Sequence, residues 1–169
     1  MQIAQVGEPI LKAPAIAVTQ FNSELDAFIA ELLDCMTTAN GIGIAAPQVF
    51  DPRAIMIVAS RPNERYPHAP EMAPLVMINP TITGTNEHIE KAWEGCLSVP
   101  GIRGLIPRPT AVSIQYQDTK GTVHTAEWDG FLARVFQHEY DHLMGKTWLD
   151  RLESVADICA ETVLLPRIR

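Results

Sequence analysis

The chain has 169 residues, 47% hydrophobic and 20% charged, a globular mix that excludes a disordered or fibrous protein and is long enough to bury one core. Thirteen Lys and Arg against 20 Asp and Glu leave a net charge of −7. That balance excludes a broad grip on nucleic acid or anionic lipid, because neutralising phosphate needs a cationic face.

Three cysteines, Cys35, Cys96 and Cys159, are too few and too scattered for a disulfide framework, which points to a reducing compartment. The N-terminal stretch has no apolar leader core, and no run approaches the ~18 apolar residues of a membrane helix. The expectation is one domain over residues 1–169, cytoplasmic and without a membrane partner.

In chain order, the first helix is expected from Ser23 to Ala39. Leu25, Phe28, Ile29, Leu32, Leu33 and Met36 form one apolar stripe at helical spacing, and Cys35 reads as a small packed residue beside it. Ser23 with Asp26 resembles a capping box, and Asn40-Gly41 is a stop signal. Ala54–Ala59 and Leu75–Asn79 are apolar runs of strand length. Between them the prolines and charges of Arg61–Pro74 read as a mobile surface loop. Ala111–Trp128 alternates polar and apolar residues around a turn at Asp118–Gly121 and reads as a hairpin.

A second helix is expected over Gly130–Met144, with Asp129 as N-cap and Gly145 as stop. A third is expected over Glu153–Leu164, with Leu152, Val155, Ile158, Cys159 and Val163 on one side and Pro166 ending it. Short strands with three helices and no βαβ alternation indicate an α+β domain.

The second helix carries His138-Glu139-Tyr140-Asp141-His142. Residues four apart share a helical face, so His138 and His142 can present two imidazoles to one ion, with Glu139 beside its water. A catalytic site wants a third protein ligand and one open position. The metzincin pattern would place it at position 148, which is Trp148 and cannot ligate. Glu161, nineteen residues beyond His142, suits a thermolysin-like site, though Leu165 stands where those enzymes carry an Asp. Cys96, in Trp93-Glu94-Gly95-Cys96-Leu97-Ser98, is the third candidate, either a thiolate ligand or an inert buried Cys. His68, His88 and His124 lack ligand spacing.

Three separated segments resemble the peptide deformylase family: Gly41-Ile42-Gly43-Ile44-Ala45-Ala46-Pro47-Gln48, Glu94-Gly95-Cys96-Leu97-Ser98, and Gln137-His138-Glu139-Tyr140-Asp141-His142. The resemblance implies small antiparallel or mixed β-sheets around a central helix bearing the two histidines, with an N-terminal and a C-terminal helix. It implies one divalent metal held by Cys96, His138 and His142: Fe(II) first, with Zn, Ni or Co able to replace it.

The implied reaction removes the formyl group from N-terminal formyl-methionine on newly made polypeptides. Water held by the metal attacks, Glu139 serves as base and then acid, and Gln48 with the Leu97 N–H receives the oxyanion. Ile42, Gly43, Glu94 and Gly95 are expected along the substrate, Phe131 and Val135 in the methionine pocket, and Arg103 as a clamp on peptide carbonyls. Arg108 is expected to pair with Glu94, and Arg134 to turn outward or find a partner. The expected partners are nascent formylated peptides, with at most a transient ribosome contact, no nucleic acid, and a monomeric state. Two alternatives stand beside this reading: a thermolysin-like peptidase using Glu161, and an inactive relative that binds metal or peptide only.

Overall fold

The computed structural model describes residues 1–63 and 66–168. Helix α1 runs over Ser23–Thr38, and its N-cap is Asn22, whose side chain accepts from the Leu25 N–H at 3.1 Å. The cap therefore precedes Ser23. After α1 the chain turns through Asn40 in the left-handed region (φ 58°) and enters the short strand β1, Gly43–Ala45. Strands β2 (Ile55–Ser60) and β3 (Met72–Thr85) follow, then β4 (Ile89–Cys96) and β5 (Val99–Pro109). The hairpin of β6 (Ala111–Gln117) and β7 (Val123–Asp129) leads into helix α2, Gly130–Leu143. Gly145 stands at φ 69° just beyond its end.

Two antiparallel sheets result, ordered β1-β2-β3-β6-β7 and β4-β5 plus a last short strand, β8 (Ile158–Ala160). β1 and β4 are each the edge of their sheet. The apolar run of β2 is buried at every residue because the first sheet lies between two helices. Ile55 and Ile57 pack with Leu25, Ile29 and Leu32 of α1, while Met56 and Val58 pack with Ala133 and Phe136 of α2. A third cluster joins Cys96, Val99, Ile106 and Trp148 under the second sheet. α2 packs against both sheets, through β1, β2 and β7 on one side and β5 on the other. The architecture is α+β, as expected.

Three expectations are corrected. β3 continues past Asn79, which takes φ 49° at a register shift; the Asn79-Pro80 pair that signals an end marks a bulge instead. The loop between β2 and β3 is shorter than predicted, since Met72 already begins the strand, and residues 64 and 65 lie outside the described residues. Asp129 is the N-cap of α2, as expected, though its side chain makes no cap bond, and the Gly130 N–H donates to the Thr110 carbonyl at 2.8 Å.

The third helix is replaced by a 3₁₀ turn at Val155–Asp157, β8, and helix α3, Glu161–Ile168, with Pro166 inside it rather than ending it. Ile158, Cys159 and Ala160 pair with Gly104, Arg103 and Ile102 of β5, and this tertiary pairing overrides the local helical pattern. Val155, which the predicted stripe would bury, is 84% exposed.

Candidate metal centre

His138 and His142 lie one turn apart on α2, with ring centroids 5.2 Å apart, and both face the end of β4. There Cys96 is the last residue of the strand before the tight turn Leu97-Ser98. One ligand atom each from Cys96, His138 and His142 fall within 4.8 Å of one another, and Cys96 Sγ is 3.3 Å from His142 Nε2. Among the described residues this is the one such cluster of three or more His, Cys, Asp or Glu. Glu161 stands apart from it, its carboxylate accepting from Arg103 Nε at 3.1 Å, so the thermolysin-like third ligand is overturned.

The donor set fits a divalent metal. Burial opposes ionisation of the Cys96 thiol, but the neighbouring His142 and His138 outweigh it and hold its pKa well below the usual range, favouring the thiolate a metal needs. Ser98 N–H also donates to Cys96 Sγ at 3.4 Å. His138 Nδ1 lies 2.8 Å from Glu94 Oε2. An ionised carboxylate only accepts, so Nδ1 carries the proton and Nε2 is left for a metal.

Glu94 is itself held firmly. Arg108 grips it through Nε to Oε1 at 2.6 Å and Nη2 to Oε2 at 2.9 Å, and Arg134 Nη1 adds a bond to Oε1 at 2.9 Å. Burial favours its neutral form, yet the Arg108 charge wins and draws the carboxyl well below its ordinary pKa. Arg108 continues through Nη1 to Asp141 Oδ2 at 2.9 Å, and Arg151 reaches Asp141 Oδ1 at 2.6 Å. The Glu94–Arg108 pair expected from sequence is present, and Arg134 finds its partner in Glu94. Asp141, an acid set unfavourably near a helix C-terminus, is satisfied by two arginines.

Glu139 is buried, which pushes its carboxyl pKa up to about 7. Its Oε2 has no hydrogen-bond partner among the described residues, an acceptor free to work. The carboxylate presses on the Gly43 backbone: a Cβ there would overlap Oε1 and lie 2.7 Å from Cδ. Any side chain at position 43 would force the Glu139 carboxylate to move. Gln48 is aimed equally firmly. The Ala45 N–H donates to its Oε1 at 2.9 Å, so Nε2 must face the other way, donating to Ser98 Oγ at 3.1 Å and reaching Cys96 Sγ at 3.6 Å.

A cleft of about 360 Å³ opens between the two sheet edges and α2. Ile42, Gly43, Gln48, Glu94, Gly95, Cys96, Leu97, Phe131, Val135, His138 and Glu139 all line it, which brings together nearly every residue singled out from sequence. His142 sits behind it, fully buried. Glu94 lines it, although both carboxylate oxygens are already engaged.

Arg103 departs from expectation. It is 1% exposed, does not line the cleft, and pairs with Glu161 behind Gly95, so it cannot clamp a peptide from this position. Sequence reasoning passed over Ser98, whose signal was its place two residues after the thiol. It also passed over Tyr66, which lines the cleft from a loop that carries no motif.

Comparison with known proteins agrees with this geometry. The family model described as polypeptide deformylase matches residues 1–157. Peptide deformylase 2 of Shewanella oneidensis is 51% identical over 151 residues, covering 89% of this chain and 83% of the relative. Peptide deformylase 2 of Nostoc sp. is 48% identical over 155 residues, covering 91% and 87%. Among solved structures, the Met-Ala-Ser-bound class I type b peptide deformylase of Acinetobacter baumannii superposes with a TM-score of 0.88 at 41% identity, covering 90% of this chain and 98% of that one. The Synechococcus elongatus peptide deformylase in complex with actinonin gives 0.83 at 36% identity, covering 92% and 80%.

Proposed function

The chain belongs to the polypeptide deformylase family and acts as a metal-dependent hydrolase on the N-terminal formyl group of newly made polypeptides, and from that premise we propose how its residues divide the work. The observation that carries the assignment is the convergence of Cys96, His138 and His142 beside the unpartnered Oε2 of Glu139 in one cleft.

Cys96, His138 and His142 hold the divalent metal, whose Lewis acidity, when bound, lowers the pKa of water and polarises the formyl carbonyl. Glu139 Oε2 takes the proton of the attacking water and later delivers it to the departing amine nitrogen. Burial pushes its pKa up to about 7, and a cation held by the three ligands would draw it back toward the ordinary carboxylate range, where it can accept the proton. Gln48 Nε2 and the Leu97 N–H donate to the formyl oxygen as it becomes anionic; because the Ala45 N–H already fixes the amide, no reorganisation is needed.

The outer edges of β1 and β4 flank the cleft, so an extended peptide lies between Ile42-Gly43 and Gly95 with main-chain groups on both sides. Phe131 and Val135 offer the methionine side chain an apolar wall. Glu94 acts on His138 rather than on substrate.

Fe(II) is our choice of metal; Zn, Ni and Co suit the same thiolate and imidazoles. No helix among the described residues is long and apolar enough to cross a membrane. The reading has the enzyme working as a cytoplasmic monomer on nascent peptides, with any ribosome contact confined to a local patch by the −7 charge. Protein loaded anaerobically with Fe(II) should release formate from formyl-Met-Ala-Ser. Stoichiometric metal binding without formate release would instead favour the inactive, binding-only relative.

A further inference from the structure

We propose that Tyr66 is a specificity-determining residue that closes the far end of the methionine pocket, and that Arg103 and Glu161 are positioning residues that hold its ring there. This deepens, and rests on, the reading of the cleft as the formyl-methionine site.

The Tyr66 ring lines the same cleft as Phe131 and Val135 and meets Phe131 edge-on, with centroids 5.2 Å apart and planes at 62°. Phe131, Val135 and His138 are spaced four and three apart, so they share one face of α2. At a rise of about 1.5 Å per residue, Phe131 stands about 10 Å from His138 along the helix axis. An unbranched side chain that starts beside the metal ligands and follows this face passes Val135 and ends against the Phe131–Tyr66 pair. A ring entering by the same route meets that pair sooner. The far wall is thus built of one residue from α2 and one from the loop between β2 and β3.

The Tyr66 ring is also held by charge. Arg103 Cζ lies 5.1 Å from its centroid, within cation–π range. Arg103 is buried, its Nε donates to Glu161 Oε1 at 3.1 Å, and its Nη2 has no hydrogen-bond partner among the described residues. Its guanidinium is therefore held by Glu161 and the aromatic face. Gly95 makes the space: a Cβ there would stand 3.3 Å from Arg103 Nε and 3.4 Å from Glu161 Oε1. Glu161 is the first residue of α3, so the C-terminal helix reaches the cleft through Arg103 and Tyr66. Without the Glu161 charge, buried Arg103 loses its counter-ion and its reason to stay under the ring.

The test compares kcat/KM for formyl-methionyl, formyl-leucyl and formyl-phenylalanyl peptides on the metal-loaded protein. Tyr66→Ala should lower the Met-to-Phe preference about tenfold, the scale of one lost apolar contact in a specificity pocket. Tyr66→Phe, which keeps the ring, should hold the preference within about twofold, and Glu161→Gln should shift it a few-fold in the same direction as Tyr66→Ala. Equal loss on all three peptides in Tyr66→Ala, or no change, overturns the role of Tyr66. An unmoved preference in Glu161→Gln overturns the positioning role of the Glu161–Arg103 pair. If the unmutated protein releases formate from none of the peptides, the reading of the cleft fails and this proposal with it. Turnover with an unmoved preference sinks this proposal alone.

Discussion

The two ends of the cleft are built on different principles. At the metal end, Glu94, Arg108, Asp141 and Arg151 form one continuous hydrogen-bonded network, and His138 is locked to it at 2.8 Å. At the far end, Tyr66, Phe131 and Arg103 meet through ring faces and edges, with one ion pair behind them. The first arrangement fixes atoms in place, as ligand geometry requires; the second fills space and can yield. In the proposed function, chemistry rests on buried, directional bonds, and recognition of the side chain on contacts that tolerate small changes.

Substitutions can break this comparison at either end. Cys96→Ala should have the largest effect, abolishing formate release and weakening metal affinity beyond the ~10–100-fold typical of losing a residue that only orients a ligand. Metal content after dialysis checks it, and Glu161→Gln measured in parallel should keep full occupancy. Glu139→Gln should keep the metal while kcat falls by about 10²–10⁴, the usual worth of a general base; single-turnover formate release reads this directly.

Glu94→Gln should come next. It removes the charge that faces Arg108, Arg134 and His138 and should cost about 10–100-fold in metal affinity, seen by competition with a chelator. Phe131→Ala should be mildest, raising KM for formyl-methionyl peptides about tenfold with metal binding unchanged. If Phe131→Ala also released the metal, the two ends would be one cooperative unit and the contrast between them would disappear.

The metal end was the more legible in sequence because most of its residues sit in short, local patterns. His138 and His142 announce themselves because helical periodicity alone puts them on one face, and Gly43 and Gln48 sit in a compact segment with Ala45. Cys96 could not be placed by spacing; only the resemblance, and then the geometry, joined it to His138, 42 residues on.

β5 was missed because the prolines and glycines of Val99–Pro109 oppose a strand reading, although pairing with β4 holds it in register. The far end had no local signal at all. Tyr66 lies among prolines, and nothing near Arg103 in the chain shows that its partner is Glu161, 58 residues on, rather than a peptide. The apolar run over 152–163 imitated a helix because strand β8 and a 3₁₀ turn present the same residue types in a different period.

The central claim is that Cys96, His138 and His142 bind one metal. X-ray absorption at the metal edge of the zinc-loaded protein tests it most directly. One sulfur neighbour at about 2.3 Å and two nitrogen neighbours at about 2.0–2.1 Å are predicted, with the sulfur shell absent in Cys96→Ala. A first shell of nitrogen and oxygen alone in the unmutated protein would contradict the account.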